Sequence, residues 1–306
     1  MAGSSRKAIF AALAGNSLIA VTKFGAAAYT GSSAMLSEGI HSLVDTGNQG
    51  LLLFGLKAAA KPPSPDFPFG HGKEVYFWCF IVAMLIFALG GTASIYQGVQ
   101  HLSHAEPISN IMVNYAVLGA ALVFELGALW VAMKEFNKSR GDQGLLQAVK
   151  DGKDPTLFVV VFEDSAATLG LIIAMLGLVM YQITGNPIFD AVASIAIGVV
   201  LILTAIWLAM ESKGLLIGES ASPAIRADIR RVLDQDERII EVNEVATLHM
   251  GPDFIVVTLS ADFVDGISAD AVEDAVTELN GIIKQIDPRI QRVFLEAEKH
   301  ENHPSS

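Results

Sequence analysis

Acidic and histidine side chains occur inside stretches of this chain that are long and apolar enough to span a membrane. Glu38, His41 and Asp45 lie in an apolar segment from about residue 33 to 60, and Glu163 and Asp164 lie in another from about 156 to 182. Placing one ionisable group in hydrocarbon costs about 2.5–3.5 kcal/mol on insertion scales. A chain that does this in two segments is expected to use these groups to carry an ion.

Long apolar runs dominate the first two thirds of the sequence. The 306 residues are 52% hydrophobic and only 17% charged, whereas ordinary soluble domains are about 25% charged. A bilayer core about 30 Å thick requires about 20 apolar residues in a helix. The pattern predicts a six-helix transmembrane domain over residues 1–212, with spans at about 7–29, 33–60, 74–102, 108–135, 156–182 and 187–211.

The basic residues around these segments favour one orientation. They lie before the first span and in the second–third and fourth–fifth connections, and the other three connections contain no Lys or Arg. Positively charged loops stay on the cytoplasmic side, so both termini are predicted to be cytoplasmic. The residues are Arg6, Lys7, Lys57, Lys61, Lys73, Lys134, Lys138, Arg140, Lys150 and Lys153. No cleavage site follows the first apolar run, so we expect a retained helix and not a signal peptide.

Residues 213–306 differ in composition and predict a cytoplasmic domain. They carry nine Lys and Arg against eighteen Asp and Glu. The predicted order is a linker at 213–220, a helix from Ser222, strands at 242–249 and 254–263, a helix from Ser268, a strand at 292–296 and a frayed end from Lys299. This αββαβ order fits a ferredoxin-like α+β sandwich with two helices on one sheet.

The polar residues of the second span share one helical face. Glu38, His41, Asp45 and Asn48 are spaced three or four residues apart, which places them on one side of a helix. An imidazole nitrogen together with a carboxylate oxygen suits Zn²⁺ and other first-row divalent ions. His41 and Asp45 are therefore predicted to bind one metal ion, although a histidine alone at this place would also suit packing in a helix bundle.

The fourth and fifth spans add further buried acids. Glu163 and Asp164 are adjacent, so their side chains point about 100° apart on a helix and are not expected to serve one ion equally. Gly170 would let another helix approach closely. Two interpretations are open for Glu125 in the fourth span. It forms an ion pair with Lys23 of the first span inside the bundle, or it acts as a ligand or proton relay.

The sequence contains a single cysteine, Cys79, which excludes an intrachain disulfide and a cysteine zinc cluster.

Several motifs occur together along the chain. They are His41-x3-Asp45, the Phe-Glu-Asp-Ser sequence at 162–165, the loop sequence Pro-Phe-Gly-His-Gly-Lys at 68–73, Asn16, and Leu-Ile-Gly-Glu-Ser at 216–220. With six spans and a cytoplasmic αββαβ domain, this combination resembles the cation diffusion facilitator family, in particular its zinc-transporter-nine-like branch. The resemblance implies a homodimeric exporter of divalent metal, usually Zn²⁺, that is driven by proton entry.

The resemblance also implies a transport site with two ligands from span two and two from span five. In this sequence the corresponding positions are His41, Asp45, Val160 and Asp164. Valine cannot bind metal, so the adjacent Glu163 is the candidate for the fourth ligand. Further candidates are Glu38, Asn48 and Glu125. The predicted transported ion is Zn²⁺. Mn²⁺, Co²⁺ and Fe²⁺ are the alternatives, because more oxygen ligands favour harder ions.

Family members often bind metal outside the membrane as well. Here Asp66 and His71 offer two ligands in the second–third loop, and His249 lies in the body of the soluble domain, with His300 and His303 near its end. Each of these groups offers few metal ligands. We therefore expect a weak or absent loop site, no two-ion cluster in the soluble domain, and a soluble domain that mainly dimerises.

The predicted function is efflux of a divalent metal ion across a lipid bilayer by proton-coupled antiport, with alternating access to a midplane site. A bound cation favours deprotonated ligands, so metal and protons compete, and His41 is the candidate for coupling near neutral pH. The alternatives are a channel or a membrane metal sensor without proton coupling. An intramembrane hydrolase is poorly supported, because Ser37 and Ser42 flank His41 on one helix. We expect no enzymatic activity, no resident cofactor, no nucleic-acid partner, and a location in a bacterial inner membrane.

Overall fold

The computed structural model describes residues 2–103, 108, 110–140, 144 and 155–303, and the chain divides into two compact units. The first unit comprises Met1–Lys57 and Val75–Lys213, and the second comprises Ala58–Glu74 and Gly214–Ser306. The first unit is built from long helices, and the second contains a small mixed sheet.

The helices of the first unit follow the apolar segments of the sequence. They are α1 (Ala2–Thr30), α2 (Ser33–Ala59), α3 (Glu74–Ser103), α4 (Ile111–Arg140), α5 (Pro155–Thr184) and α6 (Ile188–Ile217). Among the described residues, α3, α4, α5 and α6 are long and apolar enough to cross a membrane. The predicted linker at 213–220 was partly wrong, because α6 continues to Ile217 and its last turn contains the fully buried Leu215.

Small and hydroxyl side chains bring three of these helices together. A π-helical segment, Ile86–Gly91, interrupts α3, and its last residue lies against the carbonyl oxygen of Gly198 on α6. Such small residues permit close approach of helices in membranes. Ser194 on α6 shares a 2.5 Å hydrogen bond with the hydroxyl of Ser37 on α2. The helix that carries His41 is thereby tied to α6.

The second unit confirms the predicted αββαβ order. Its elements are α7 (Pro223–Asp234), β1 (Ile239–Gly251), β2 (Phe254–Phe263), α8 (Ala269–Ile286) and β3 (Ile290–Ala297). Ser222 and Ser268 cap the two helices as predicted, each accepting a backbone hydrogen bond three residues on. β2 is the central strand, antiparallel to β1 and parallel to β3. Apolar residues of both helices and the sheet form one core: Ile229, Leu233, Ile255, Val257, Leu279 and Ile283.

Each helix of this unit is followed by the same Asp-x-Arg clamp before the next strand. Asp236 accepts hydrogen bonds from the backbone and guanidinium of Arg238 at 2.6–2.9 Å, and Asp287 accepts the same set from Arg289 at 2.8–2.9 Å. These arginine hydrogen bonds hold the pKa of both carboxyl groups below their usual value. The clamps fix the turns that lead from helix to strand.

The 58–74 segment packs on the sheet of the same unit. Phe69 contacts the rings of Phe254 and Phe294, with centroids 6.4 and 6.5 Å apart. Gly72 lies so close to the backbone of Gly251 that neither position has room for a β-carbon. The loop that follows α2 is therefore docked on the β1–β2 hairpin.

The predicted frayed end from Lys299 was wrong for residues up to 303. The backbone amide of His300 donates to Asp262 at 3.0 Å, and His303 Nδ1 lies 2.7 Å from Glu298 Oε2. The hydrogen bond from His303 lowers the pKa of Glu298. This segment is held by polar contacts, which its composition does not reveal. Residues 304–306 lie outside the described part of the chain.

Candidate metal transport site

The polar face predicted for α2 is buried inside the first unit. Glu38, His41, Asp45 and Asn48 are each at most 5% exposed. Burying four such polar side chains in an apolar bundle costs free energy unless they contact polar partners or an ion. What this polar stripe can do therefore depends on the contacts of each of its residues.

His41 and Asp45 lie together without forming a well-directed hydrogen bond. His41 Nδ1 is 3.3 Å from Asp45 Oδ1, yet both imidazole nitrogens and this oxygen are buried without a hydrogen-bond partner among the described residues. Buried polar atoms in native proteins nearly always have a partner. An imidazole nitrogen beside a carboxylate oxygen is a donor set that divalent metal ions bind.

Glu163 brings α5 to the same place. Asn48 donates a hydrogen bond from Nδ2 to Glu163 Oε1 at 2.7 Å, and the carboxyl groups of Asp45 and Glu163 are close enough for their charges to interact. Asp45, Asn48 and Glu163 thus form one contact between α2 and α5. Of the two adjacent acids on α5, Glu163 is the one that faces this stripe.

Asp164 takes no part in that contact. It is less buried than Glu163 and points to a different side of α5, as its position one residue along the helix requires. Glu125 on α4 is buried and close enough to Glu163 and Asp164 for their charges to interact. Within the described residues, no three His, Cys, Asp or Glu side chains form a complete metal cluster. The full ligand set that includes Asp164 therefore stays a prediction.

Lys23 is paired differently from the sequence-based expectation. Its Nζ lies 3.0 Å from Glu38 Oε2 and donates to Ser42 Oγ at 2.7 Å, so an ion pair of Lys23 with Glu125 was wrong. A sequence signal existed. Lys23 lies eight residues before Gly31 and Glu38 lies seven after it, so the two positions lie at nearly the same depth from the turn between α1 and α2.

Sequence reasoning missed the role of Asp190 at the start of α6. Its carboxylate accepts hydrogen bonds from Ser32 Oγ at 2.6 Å and from the backbone and hydroxyl of Ser33 at 2.6 and 2.9 Å. Ser33 begins α2, so Asp190 caps the helix that carries the metal-ligand candidates. The consecutive serines before an apolar run were the available signal.

The candidates outside the first unit do not assemble into a site among the described residues. Asp66 is exposed, and His71 packs on the ring of Phe67 with centroids 4.6 Å apart. His249 is 1% exposed, with Nδ1 3.4 Å from the Gly251 carbonyl oxygen. The geometry is that of packed histidines.

Comparison with known proteins defines the class. Residues 9–217 match the sequence model of the cation efflux transmembrane domain. The chain therefore belongs to the cation diffusion facilitator family of metal cation transporters, and it is not an enzyme.

The relatives place the chain in the zinc-transporter-nine-like branch. The human "proton-coupled zinc antiporter SLC30A9, mitochondrial" is 34% identical over 247 residues, which cover 80% of this chain and 44% of that protein. "Metal tolerance protein C4" of Arabidopsis thaliana is 33% identical over 81% of this chain and 55% of that protein. "Cation-efflux pump FieF" of Klebsiella pneumoniae is 26% identical over 80% of this chain and 77% of that protein. The chain spans about half the length of the first two relatives.

Proposed function

We propose that this protein moves Zn²⁺ across a membrane in exchange for protons, by alternating access to a site between α2 and α5. The observation that carries the proposal is the Asn48–Glu163 contact beside His41 and Asp45. Both His41 nitrogens and Asp45 Oδ1 are buried there without hydrogen-bond partners in the described part of the chain. Such atoms can bind a desolvated cation and release it when they are protonated.

Each residue of the proposed site has a distinct role. His41 supplies a nitrogen ligand, and Asp45 and Glu163 supply oxygen ligands from facing helices. Asn48 orients Glu163 through its 2.7 Å hydrogen bond. Asp164 is the remaining proposed ligand. No three of these side chains form a metal cluster among the described residues, so we propose that an alternating-access movement of the helices brings the four ligands together. Glu125 is a proposed relay for protons, since it is buried close to both acids of α5.

The choice of ion and of coupling is supported by two considerations. One nitrogen and several carboxylate oxygens suit Zn²⁺, with Mn²⁺, Co²⁺ and Fe²⁺ as the alternatives. The human relative is named a proton-coupled zinc antiporter, and we extend that description to this chain as a hypothesis.

The proposal includes a membrane topology and an assembly. We propose that α1 to α6 all span the bilayer with both termini in the cytoplasm, because basic residues occur only in alternate connections. We also propose that the second unit holds a homodimer together. The membrane is proposed to be a bacterial inner membrane, and the relatives include both a bacterial and a mitochondrial protein.

The test is metal-dependent proton flux in liposomes that contain the purified full-length protein. Zn²⁺, Mn²⁺, Co²⁺ and Fe²⁺ are compared, with Asp45→Ala as the inactive variant and Thr46→Ala as its matched control, because Thr46 bonds only the carbonyl of its own helix. Coupled flux that is lost only in Asp45→Ala supports the antiporter. Metal flux without proton movement indicates a channel, and folded protein without metal flux indicates a sensor.

A further inference from the structure

Lys23 is a buried cation on α1 that contacts α2 at two points. Its Nζ donates to Glu38 Oε2 at 3.0 Å and to Ser42 Oγ at 2.7 Å, and the side chains of Lys23 and Glu38 are both 0% exposed. Glu38 precedes His41 by three residues and Ser42 follows it directly. Lys23 therefore holds α2 on both sides of the proposed nitrogen ligand.

Glu38 retains an oxygen that could bind a cation. It lies on the same face of α2 as His41, and Cβ atoms three residues apart on a helix are about 5–6 Å from each other. Its Oε1 is buried, and no described residue forms a hydrogen bond with it. This oxygen lies against Gly170 on α5, where a β-carbon would collide with it. Gly170 is seven residues from Glu163, so both belong to the face of α5 that meets α2.

We propose that Lys23 is a specificity-determining residue that keeps Glu38 out of the coordination shell of the transported ion. This inference rests on the proposed function. With Glu38 held and neutralised by Lys23, the ion meets one imidazole and the carboxylates of the site, which suits Zn²⁺. A released Glu38 would add an oxygen ligand and a negative charge, which favour harder ions such as Mn²⁺.

A purely structural ion pair makes a different prediction. Replacing both partners of a buried pair by neutral side chains often leaves a protein stable, whereas removing one partner leaves an uncompensated charge. If the pair only stabilised the bundle, every variant would move both ions at proportionally reduced rates. A change in ion preference that depends on Glu38 separates the two roles.

The experiment measures the ratio of Mn²⁺ to Zn²⁺ transport rates in liposomes under one fixed proton gradient. The variants are Lys23→Met, Glu38→Gln and the double variant, with Thr22→Ala as a matched control on α1, since Thr22 is exposed and bonds only its own helix. We expect Lys23→Met to raise the ratio about tenfold, the size of effect that ~1.4 kcal/mol produces. The double variant, Glu38→Gln alone and Thr22→Ala should keep the wild-type ratio.

Two results would overturn the inference: an unchanged ratio in folded Lys23→Met, or a double variant that keeps the altered ratio. If Lys23→Met does not fold, the more polar Lys23→Gln takes its place, because its neutral amide leaves the Glu38 carboxylate without a counter-charge. It should shift the ratio in the same direction, and an unchanged ratio would overturn the inference.

Calorimetric titration of solubilised protein with each metal gives a second readout. Wild-type protein that moves neither ion would overturn the proposed function as well, whereas normal Zn²⁺ antiport with unchanged ratios overturns the role of Lys23 alone.

Discussion

The side-chain amide of Asn48 on α2 donates a 2.7 Å hydrogen bond to the carboxylate of Glu163 on α5, and both side chains are buried. The two residues are 115 positions apart in the sequence. This bond fixes which of the two adjacent acids on α5 meets the polar stripe of α2. It makes Asn48 a positioning residue for a proposed metal ligand.

Replacing Asn48 by alanine should weaken metal binding while the fold is kept. Loss of a hydrogen-bond partner that orients a metal ligand typically costs about 10–100-fold in affinity or activity. We expect a rise of that size in the apparent KM for Zn²⁺ in liposome transport. Thr46→Ala on the same helix is the control and should leave KM unchanged. A normal KM in folded Asn48→Ala would contradict the role of this bond.

Replacing Gly170 by alanine should destabilise the first unit. A β-carbon there collides with Glu38 Oε1, and the displaced carboxylate is held by Lys23 from the other side. Overpacking of this kind costs about 1–3 kcal/mol, which should appear as a lower thermal midpoint of the solubilised protein. Gly127→Ala on α4 is the control, since nothing lies within 4 Å of its added carbon. Equal midpoints for both variants would count against the close contact.

Removing the carboxylate of Asp190 should loosen the start of α2. Asp190→Ala leaves the amide of Ser33 and the hydroxyls of Ser32 and Ser33 without their acceptor. Loss of a helix cap costs about 0.5–2 kcal/mol. We expect faster hydrogen exchange at the first turn of α2 and slower transport. Ser103→Ala is the control, because that exposed hydroxyl donates to the carbonyl of Val99 on its own helix. An effect of equal size there would contradict the role of Asp190.

Replacing Gly72 by alanine should detach the 58–74 segment from the hairpin of the second unit. The added carbon would meet the backbone carbonyl oxygen of Met250, and backbone cannot move aside as a flexible side chain can. Hydrogen exchange of this segment in the full-length protein should increase. Gly281→Ala on α8 has open space around its added carbon and should leave exchange unchanged. Retained protection of the segment in Gly72→Ala would refute the docking.

Acid should weaken the second unit through its two Asp-x-Arg clamps. The pKa values of Asp236 and Asp287 are held below the usual 3.8 by hydrogen bonds from Arg238 and Arg289. A carboxyl group whose pKa is lower in the folded protein than in the unfolded chain stabilises the fold at pH values above its unfolded-state pKa. This stabilisation is lost as the pH falls through its folded-state pKa. Solvent screening limits the effect to about 1 kcal/mol or less for each clamp.

The measurement is hydrogen exchange of peptides from 223–297 in the full-length protein, corrected for the intrinsic pH dependence of exchange. Protection should be constant above about pH 4 and should fall below the usual carboxyl value of 3.8. The double variant Asp236→Asn/Asp287→Asn should lose protection at neutral pH and show a smaller further loss in acid. An identical acid response in the variant would exclude the clamps as its cause.

Local patterns were enough to predict most of the individual elements. The spacing of Glu38, His41, Asp45 and Asn48 predicted one polar face, and that face is buried. Alternating apolar residues on either side of Gly251 predicted the hairpin of β1 and β2, and Ser222 and Ser268 marked the helix starts. These features depend on residues close in sequence, and helix and strand periodicity act at that range. The number of membrane spans, the dimer and the ferredoxin-like arrangement remain predictions.

Contacts between distant helices were not available from these patterns. The amino-acid sequence was sufficient to predict that acids and a histidine lie inside α2 and α5, because helical spacing assigns each residue to a face. The three-dimensional arrangement was needed to show that Asn48 meets Glu163, that Lys23 pairs with Glu38 instead of Glu125, and that Asp190 caps α2. Partners across a bundle depend on the rotation and depth of each helix, which are set by small-residue packing such as that of Ile86–Gly91 against Gly198. Sequence spacing within one helix carries no information about that rotation.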